Sequence, residues 1–137
     1  MSPALALAAA LALLVFALLL GVVLRRREGR RRAGRALRFD PQDAATWHPG
    51  GRVTLVQFTT ELCAKCPQVR RLLRSYAEQH EGVRHVEIDL THRPDLATRY
   101  RVLQTPTTLV VGDDGAIHAR FHGVPQPRAL TEAVAAV

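Results

Sequence analysis

The pair of cysteines at positions 63 and 66 constrains the fold of this chain more than any other feature. Cys63 and Cys66 are the only cysteines, and they lie between an apolar run typical of a buried strand, Val53 to Phe58, and a segment with helical apolar spacing. A thiol at a helix start lies near the positive end of the helix dipole, where its thiolate is stabilised. We therefore predict that Cys63 is a nucleophile. Cys66, one turn further along, is predicted to be the resolving thiol, because it can attack a mixed disulfide on Cys63.

Two cysteines at this spacing also form half of some zinc sites, so a metal site is the first alternative. His118 and His122 would have to complete it, but on a strand they would lie about 13 Å apart at about 3.3 Å per residue. Because one zinc ion cannot bind both, we expect no metal. We also expect no cofactor. No role is assigned to the remaining histidines, which fall in turn-like or exposed patterns: His48, His80, His85 and His92.

The segments around the cysteines predict alternating strands and helices. Val53 to Phe58 is apolar with little alternation, which predicts a central strand buried on both faces. Val83 to Leu90 predicts a second strand, and Pro94 to Val102 predicts a helix with Asp95 in its first turn. A strand, a helix and another strand in this order predict a parallel crossover.

The last third of the chain predicts a hairpin and a final helix. Residues 107–111 and 116–121 flank the turn-forming residues 112–115, which predicts two strands joined as a hairpin. An apolar stripe at helical spacing follows Pro127. Since an antiparallel pair follows a parallel half, we expect an α/β fold with a mixed sheet.

Three of these features together resemble the thioredoxin family: the strand Val53 to Phe58, the Cys63-Ala64-Lys65-Cys66 sequence, and Thr105-Pro106-Thr107. The resemblance covers Trp47 to Val137. It implies the thioredoxin fold, a central mixed sheet flanked by helices, and the activity of a thiol-disulfide oxidoreductase. The partners it implies are a disulfide-containing protein or a small thiol substrate, and a reductase that donates electrons. We expect the protein to be a monomer.

The resemblance also assigns roles to residues around the pair. In thioredoxins the proline at the position of Pro106 is cis and faces the cysteines, which leaves the backbone of Thr105 free to pair with an extended substrate. Both are predicted substrate-binding residues, and the alternative is an ordinary proline at a strand entry. Pro67 is expected to help define the helix start. Lys65 would favour the Cys63 thiolate by charge pairing, or else is an exposed, solvated lysine.

This sequence departs from thioredoxins at three positions near the pair. Leu62 replaces the aromatic residue usual before the first cysteine, and Ala64-Lys65 replaces Gly-Pro. Gln57 occupies the strand position where thioredoxins carry a buried aspartate that assists proton transfer at the second cysteine. A glutamine takes up no proton at neutral pH, so that thiol must lose its proton to water or another group, for which Glu61 is a candidate. Because these positions tune the reduction potential, the direction of reaction stays open, and we favour a reductase.

An uninterrupted apolar run from Ala4 to Leu24 precedes the domain. As a helix it would reach roughly 31 Å at about 1.5 Å per residue, enough to cross a bilayer core. A cleaved signal peptide is the alternative, but that would carry positive charge before a shorter apolar region. We therefore predict a retained transmembrane anchor over residues 1–24, a basic juxtamembrane segment and linker over 25–46, and a thioredoxin-like domain over 47–137.

The formal net charge of +7 is confined to the residues that follow the apolar run. Residues 25–38 hold eight arginines and one glutamate, whereas residues 39–137 are neutral. A neutral domain offers no electrostatic footprint for phosphates, so we expect no nucleic-acid partner. Arginines that flank a span stay on the cytoplasmic side and contact anionic lipid, so we predict a single-pass membrane protein with a cytoplasmic domain.

Two other functions are compatible with the same sequence. The domain could lie outside the cytoplasm and act as a disulfide oxidase or isomerase. It could also be a thioredoxin-like binding module that holds a partner at the membrane, in which case substitution of either cysteine would be tolerated.

Overall fold

Helices and strands alternate along most of the chain. The computed structural model describes residues 2–27, the backbone of residues 32–33, and residues 37–137. The helices are α1 (Pro3–Arg27), α2 (Cys66–Gln79), α3 (Pro94–Arg99) and α4 (Pro127–Ala135), and a 3-10 helix spans Pro41–Asp43. The strands are β1 (Arg32–Ala33), β2 (Val53–Thr59), β3 (Val83–Asp89), β4 (Thr107–Gly112) and β5 (Ile117–His122). Of the predicted basic juxtamembrane segment and linker, residues 28–31 and 34–36 lie outside the described residues, and only the backbone is described at residues 32–33.

The first helix, α1, is apolar along almost its whole length. Its most apolar stretch of 18 residues has a mean hydropathy of 3.0, and none of that stretch is buried. It ends in three consecutive arginines, Arg25, Arg26 and Arg27. By length and composition α1 is a candidate membrane span.

The five strands form one mixed sheet in the order β1-β5-β4-β2-β3. β2 lies between β4 and β3, parallel to β3 and antiparallel to β4, and all seven of its residues are buried. β4 and β5 form an antiparallel hairpin. The predicted order of a parallel crossover followed by a hairpin is therefore confirmed, and so is the predicted fold class.

The two faces of the sheet pack against different helices, because successive residues of a strand point to opposite faces. On one face Val53 and Leu55 of β2 belong to a hydrophobic cluster with residues of α2 and α4. On the other face Val56 and Phe58 belong to a cluster with residues of α3. Gln57 has the same parity as Val53 and Leu55, so its side chain lies on the α2 face.

Helix α3 ends at Arg99 instead of Val102, where the sequence predicted its end. Tyr100 is fully buried, its hydroxyl donates to the carboxylate of Asp43, and the amide of Asp40 donates to that hydroxyl at 3.0 Å. The residue after it, Arg101, takes a positive φ of 52°. Burial of Tyr100 therefore draws the chain off the helix axis and ends the helix early.

Part of the predicted linker packs against the domain. Phe39 and Ala44 are 3% and 6% exposed and join the cluster on the α3 face. The rings of Phe39 and Trp47 lie 5.5 Å apart, so Trp47 packs against the domain through Phe39. Close packing thus begins before Trp47, the predicted start of the domain.

The same region holds two short elements. A 3-10 helix of three residues spans Pro41–Asp43, and Asp40 caps it by accepting the Gln42 amide at 2.9 Å. The two-residue strand β1 pairs antiparallel with β5 and was not predicted. A strand of this length has no apolar periodicity from which it could be recognised.

Candidate active site

The cysteine pair lies where β2 leaves the sheet and α2 begins. A turn closes on Cys63, whose amide donates to the Thr60 carbonyl at 3.3 Å, and the amide of Cys66 donates to the Cys63 carbonyl at 3.4 Å. α2 begins at Cys66 itself, with Pro67 in its first turn. Cys63 therefore precedes the helix, and Cys66 opens it instead of lying one turn inside.

Cys63 and Cys66 form a disulfide, with Cα atoms 5.4 Å apart, so this is the oxidised form. The two residues differ in burial: Cys63 is half-buried, whereas Cys66 is 2% exposed. An approaching molecule therefore meets Cys63 first. Cys66 faces the interior of the domain.

We call Leu62, Cys63 and Thr105 the rim, because they surround the exposed side of the disulfide. Leu62 is 98% exposed, and Thr105 is half-buried. The hydroxyl groups of Thr60 and Thr105 lie 3.1 Å apart, which joins the cysteine loop to the loop before β4. The Thr105–Pro106 peptide bond is cis, as the resemblance implied, and Pro106 is buried. The structure thus brings Thr105 and Pro106 to the cysteine loop.

We call Cys66, Gln57, His85 and Thr108 the floor. Gln57 is fully buried, and its Nε2 donates to the carbonyl oxygen of Cys66 at 3.0 Å. Its Oε1 lies 3.0 Å from Nε2 of His85 on β3. A carbonyl oxygen only accepts hydrogen bonds, so the Gln57 NH2 group must face Cys66 and its Oε1 must face His85. His85 Nε2 must therefore be protonated, and its N–H donates a hydrogen bond to Gln57 Oε1.

The environment of His85 favours the neutral imidazole. Burial lowers the pKa of His85 below its ordinary value, and the charges of Arg74 and Arg70 lower it further. The carboxylate of Glu87 acts in the opposite direction. At neutral pH the ring therefore carries one N–H, which the contact with Gln57 places on Nε2.

His85 was not predicted to belong to the site, because its sequence pattern is turn-like or exposed. The residue instead lies in β3, is half-buried, and is held against Gln57. β2 and β3 pair in parallel with Leu55 opposite His85. One signal in the sequence could have placed it. Val83 and His85 lie two positions apart in a strand, so their side chains point to the same face of the sheet, and Val83 is buried on the α2 face.

Thr108 completes the floor from the neighbouring strand β4, where it lies directly opposite Gln57. Its side chain is fully buried, and among the described residues its Oγ1 has no hydrogen-bond partner. A buried hydroxyl without a partner is unusual in a folded protein. The floor thus contains polar groups but no carboxylate in these positions.

The remaining residues considered in the sequence form no described contact with the floor side chains. Lys65 is exposed and forms the N-cap position of α2 without a capping side-chain bond. Glu61 is exposed, and its backbone amide donates to the Thr91 hydroxyl at 3.0 Å. His122 Nδ1 lies 3.3 Å from the Thr107 hydroxyl. Across the described ranges, no three His, Cys, Asp or Glu residues are grouped so as to hold a metal ion.

Comparisons with known sequences agree with this geometry. A family model described as Thioredoxin matches residues 48–136. A thioredoxin from Methanocaldococcus jannaschii is 30% identical over 84 residues, which cover 61% of this chain and 93% of that protein. An H-type thioredoxin from Oryza sativa subsp. indica is 27% identical over 63 residues, 46% of this chain and 52% of that protein.

Solved structures show the same fold. Mitochondrial thioredoxin 3 from Saccharomyces cerevisiae, in its oxidised form, superposes with a TM-score of 0.55 at 24% identity and covers 64% of this chain and 80% of its own. Thioredoxin from Fasciola hepatica gives a TM-score of 0.55, also at 24% identity, over 63% of this chain and 81% of its own. With a family model that spans well over half of its residues and includes the cysteine pair, this chain belongs to the thioredoxin family and is a thiol-disulfide oxidoreductase.

Proposed function

We propose that this protein is a membrane-anchored disulfide reductase in which Cys63 attacks the substrate and Cys66 resolves the intermediate. The observation that carries the proposal is the unequal burial of the two cysteines, half-buried for Cys63 and 2% exposed for Cys66. A substrate disulfide that arrives from solvent reaches Cys63. Cys66 is shielded from it but joined to Cys63 in the oxidised form.

The reaction has two exchange steps. The Cys63 thiolate attacks one sulfur of the substrate disulfide, the substrate S–S bond breaks, and one substrate thiolate leaves and takes up a proton. The Cys66 thiol then loses its proton, and its thiolate attacks Cys63 Sγ and displaces the second substrate thiolate. The substrate gains two electrons and the chain is left as the Cys63–Cys66 disulfide. A reductase must return two electrons for the next turnover.

The rim supplies the substrate contacts in this proposal. Thr105 and Pro106 lie beside the cysteine loop, and the backbone of Thr105 would pair with an extended segment of a protein substrate. Exposed Leu62 would contact the residues next to the substrate cysteine. Lys65 and Pro67 would support the pair, Lys65 by its charge and Pro67 by defining the start of α2.

The direction of reaction follows from the proposed topology. α1 would remain as a single transmembrane anchor, and the arginines that begin at Arg25 would stay on the cytoplasmic side and contact anionic lipid. The domain would then face the reducing pool of the cytoplasm. In that pool the resting form would be the dithiol, which reduces membrane-proximal disulfides.

Single cysteine variants test the assigned roles, with the full-length chain in detergent micelles and a model disulfide as substrate. Cys63→Ser should abolish turnover. Cys66→Ser should trap a mixed disulfide on Cys63, detected by mass spectrometry, because the first attack survives and the resolving step is lost. Equal residual activity in the two variants would contradict the roles, and a wild-type chain that does not reduce the model disulfide would favour a binding module.

A reporter fused after Val137 tests the topology. A reporter active only in the cytoplasm should be active in this fusion, and protease added to intact cells should leave the domain uncut. A fusion that is active only outside the cytoplasm would place the domain there, as expected for a disulfide oxidase or isomerase.

A further inference from the structure

We infer that His85 is a positioning residue for the resolving step, acting through the side-chain amide of Gln57 on Cys66. The inference rests on the proposed function, because it concerns the second exchange step of that reaction. It goes further by naming what holds the resolving cysteine in a chain that has no aspartate at position 57.

The first observation is a continuous chain of hydrogen bonds across three elements. His85 Nε2 on β3 lies 3.0 Å from Gln57 Oε1 on β2, and Gln57 Nε2 donates over 3.0 Å to the Cys66 carbonyl at the start of α2. Only one orientation of the amide fits, since the Cys66 carbonyl accepts and cannot donate. The Cys66 carbonyl thus selects the NH2 end of the amide, and His85 stabilises that orientation by donating to Oε1.

The second observation is the burial of this chain. Gln57 is fully buried, and water cannot readily replace a lost partner of its Oε1. An amide held at both ends keeps its NH2 group, the positive end of its dipole, directed at the first turn of α2. That orientation fixes the Cys66 backbone and favours negative charge on the Cys66 sulfur during the resolving step.

The groups around His85 are consistent with a ring that keeps donating its hydrogen bond to Gln57. On its own strand Glu87 faces it, and on α2 the guanidinium groups of Arg70 and Arg74 act on it. Arg70 forms an ion pair with Glu87 across the edge of this site. Burial and the two arginines favour the neutral ring, and both the neutral ring protonated on Nε2 and the imidazolium can donate to Gln57.

Rapid mixing of the reduced full-length chain in micelles with one equivalent of dithiobis-nitrobenzoate separates the two steps. Attack by Cys63 releases the first coloured nitrothiobenzoate, and attack by Cys66 on the mixed disulfide releases the second. His85→Leu, which cannot donate, should slow the second release about fivefold, the effect of one lost buried hydrogen bond, and leave the first within about twofold. His85→Gln, which can donate an N–H, should restore the second release to within about twofold of the wild type.

His92→Leu is the matched control, because His92 is exposed and lies outside the floor; both releases should be unchanged. The inference fails if His85→Leu leaves the second release unchanged, if it slows both releases alike, or if His85→Gln is as slow as His85→Leu. Absence of the first release from the wild type would instead overturn the proposed function.

The tautomer of His85 gives a second test that needs no variant. NMR of the imidazole nitrogens in the oxidised wild-type chain at neutral pH should show His85 protonated on Nε2. A ring protonated on Nδ1 alone would overturn the inference even if His85→Leu does not fold.

Discussion

Cys63 and Cys66 share one disulfide, yet the rim and the floor around them differ in almost every physical respect. On the rim, Leu62 is 98% exposed and its side chain is not confined by packing. On the floor, Gln57 is fully buried and hydrogen-bonded at both ends of its amide. Substitutions on the rim are expected to change what the protein binds at little cost in stability. Substitutions on the floor are expected to change the stability of the fold, and those that break the contact with Cys66 should also affect the resolving thiol.

The departures from the thioredoxin pattern fall into two kinds, one at the exposed loop and one on the floor. Leu62 and Ala64-Lys65 are exposed in the cysteine loop, where in the proposed function they would contact substrates and influence the Cys63 thiolate. Gln57 lies on the floor, where it acts on Cys66. The loss of the aspartate is accompanied by a neutral hydrogen-bond chain to His85, so the floor is organised without a buried carboxylate at this position.

The largest expected difference between rim and floor is in thiol reactivity. In the reduced chain, iodoacetamide at mildly acidic pH should label Cys63 about a hundredfold faster than Cys66, because Cys63 is more exposed and its thiolate is favoured ahead of a helix. Trypsin cleaves after Lys65, so mass spectrometry can follow the two cysteines in separate peptides. In denaturant the two rates should converge. Equal rates in the folded chain would remove the distinction between rim and floor.

Exchanging the side chains of the two regions should have unequal effects on stability. Gln57→Leu should lower the free energy of unfolding by about 1–3 kcal/mol, because it leaves the buried Cys66 carbonyl without its donor and the His85 N–H without its acceptor. Leu62→Gln, the reverse change on the rim, should alter it by no more than about 0.5 kcal/mol. Urea titration of the full-length chain in micelles measures both, and a Leu62→Gln effect as large as that of Gln57→Leu would argue against a loosely packed rim.

Removing the side-chain hydroxyl should change the free energy of unfolding in opposite directions at two neighbouring threonines. Thr108→Val should raise the free energy of unfolding of the oxidised chain by about 1 kcal/mol, because the buried Oγ1 of Thr108 has no partner among the described residues. Thr107→Val should lower it by about 1 kcal/mol, because the Thr107 hydroxyl donates to the Gln104 carbonyl at 2.7 Å. The same urea titrations decide the signs. A loss in Thr108→Val would show that its hydroxyl has a partner in solution.

The smallest expected effect is a pH dependence carried by the floor. The pKa of His85 is lowered in the folded chain, so the unfolded chain binds more protons as the pH falls below the ordinary value of about 6.5. Stability from the neutral ring is therefore complete above that pH and decreases as the pH falls toward the folded pKa. In His85→Gln this part of the decrease should be absent, whereas it should remain in His92→Leu. Equal slopes in His85→Gln and wild type would show that His85 does not titrate as described.

Much of the fold follows from signals that extend over only a few residues. The strand before the cysteines, the hairpin around residues 112–115 and the helix after Pro127 were predicted from apolar spacing and turn residues, and the structure has all three. The end of α3 was predicted wrongly, because it depends on burial of Tyr100 and on its bond to Asp43, which is 57 positions away. The pairing of β1 with β5 was not predicted either, because it also joins residues that lie far apart along the chain.

The sequence by itself determined the chemistry of the site: two thiols at the junction of a strand and a helix, a Thr-Pro-Thr entry to a later strand, and an apolar run long enough to span a bilayer. These depend on residue type and spacing along the chain. Only the tertiary structure decided that Cys66 is enclosed while Cys63 is open, and that Gln57 connects Cys66 to His85. Gln57 and His85 lie 28 positions apart and meet because β2 and β3 pair in parallel, and the direction of each hydrogen bond is set by that contact.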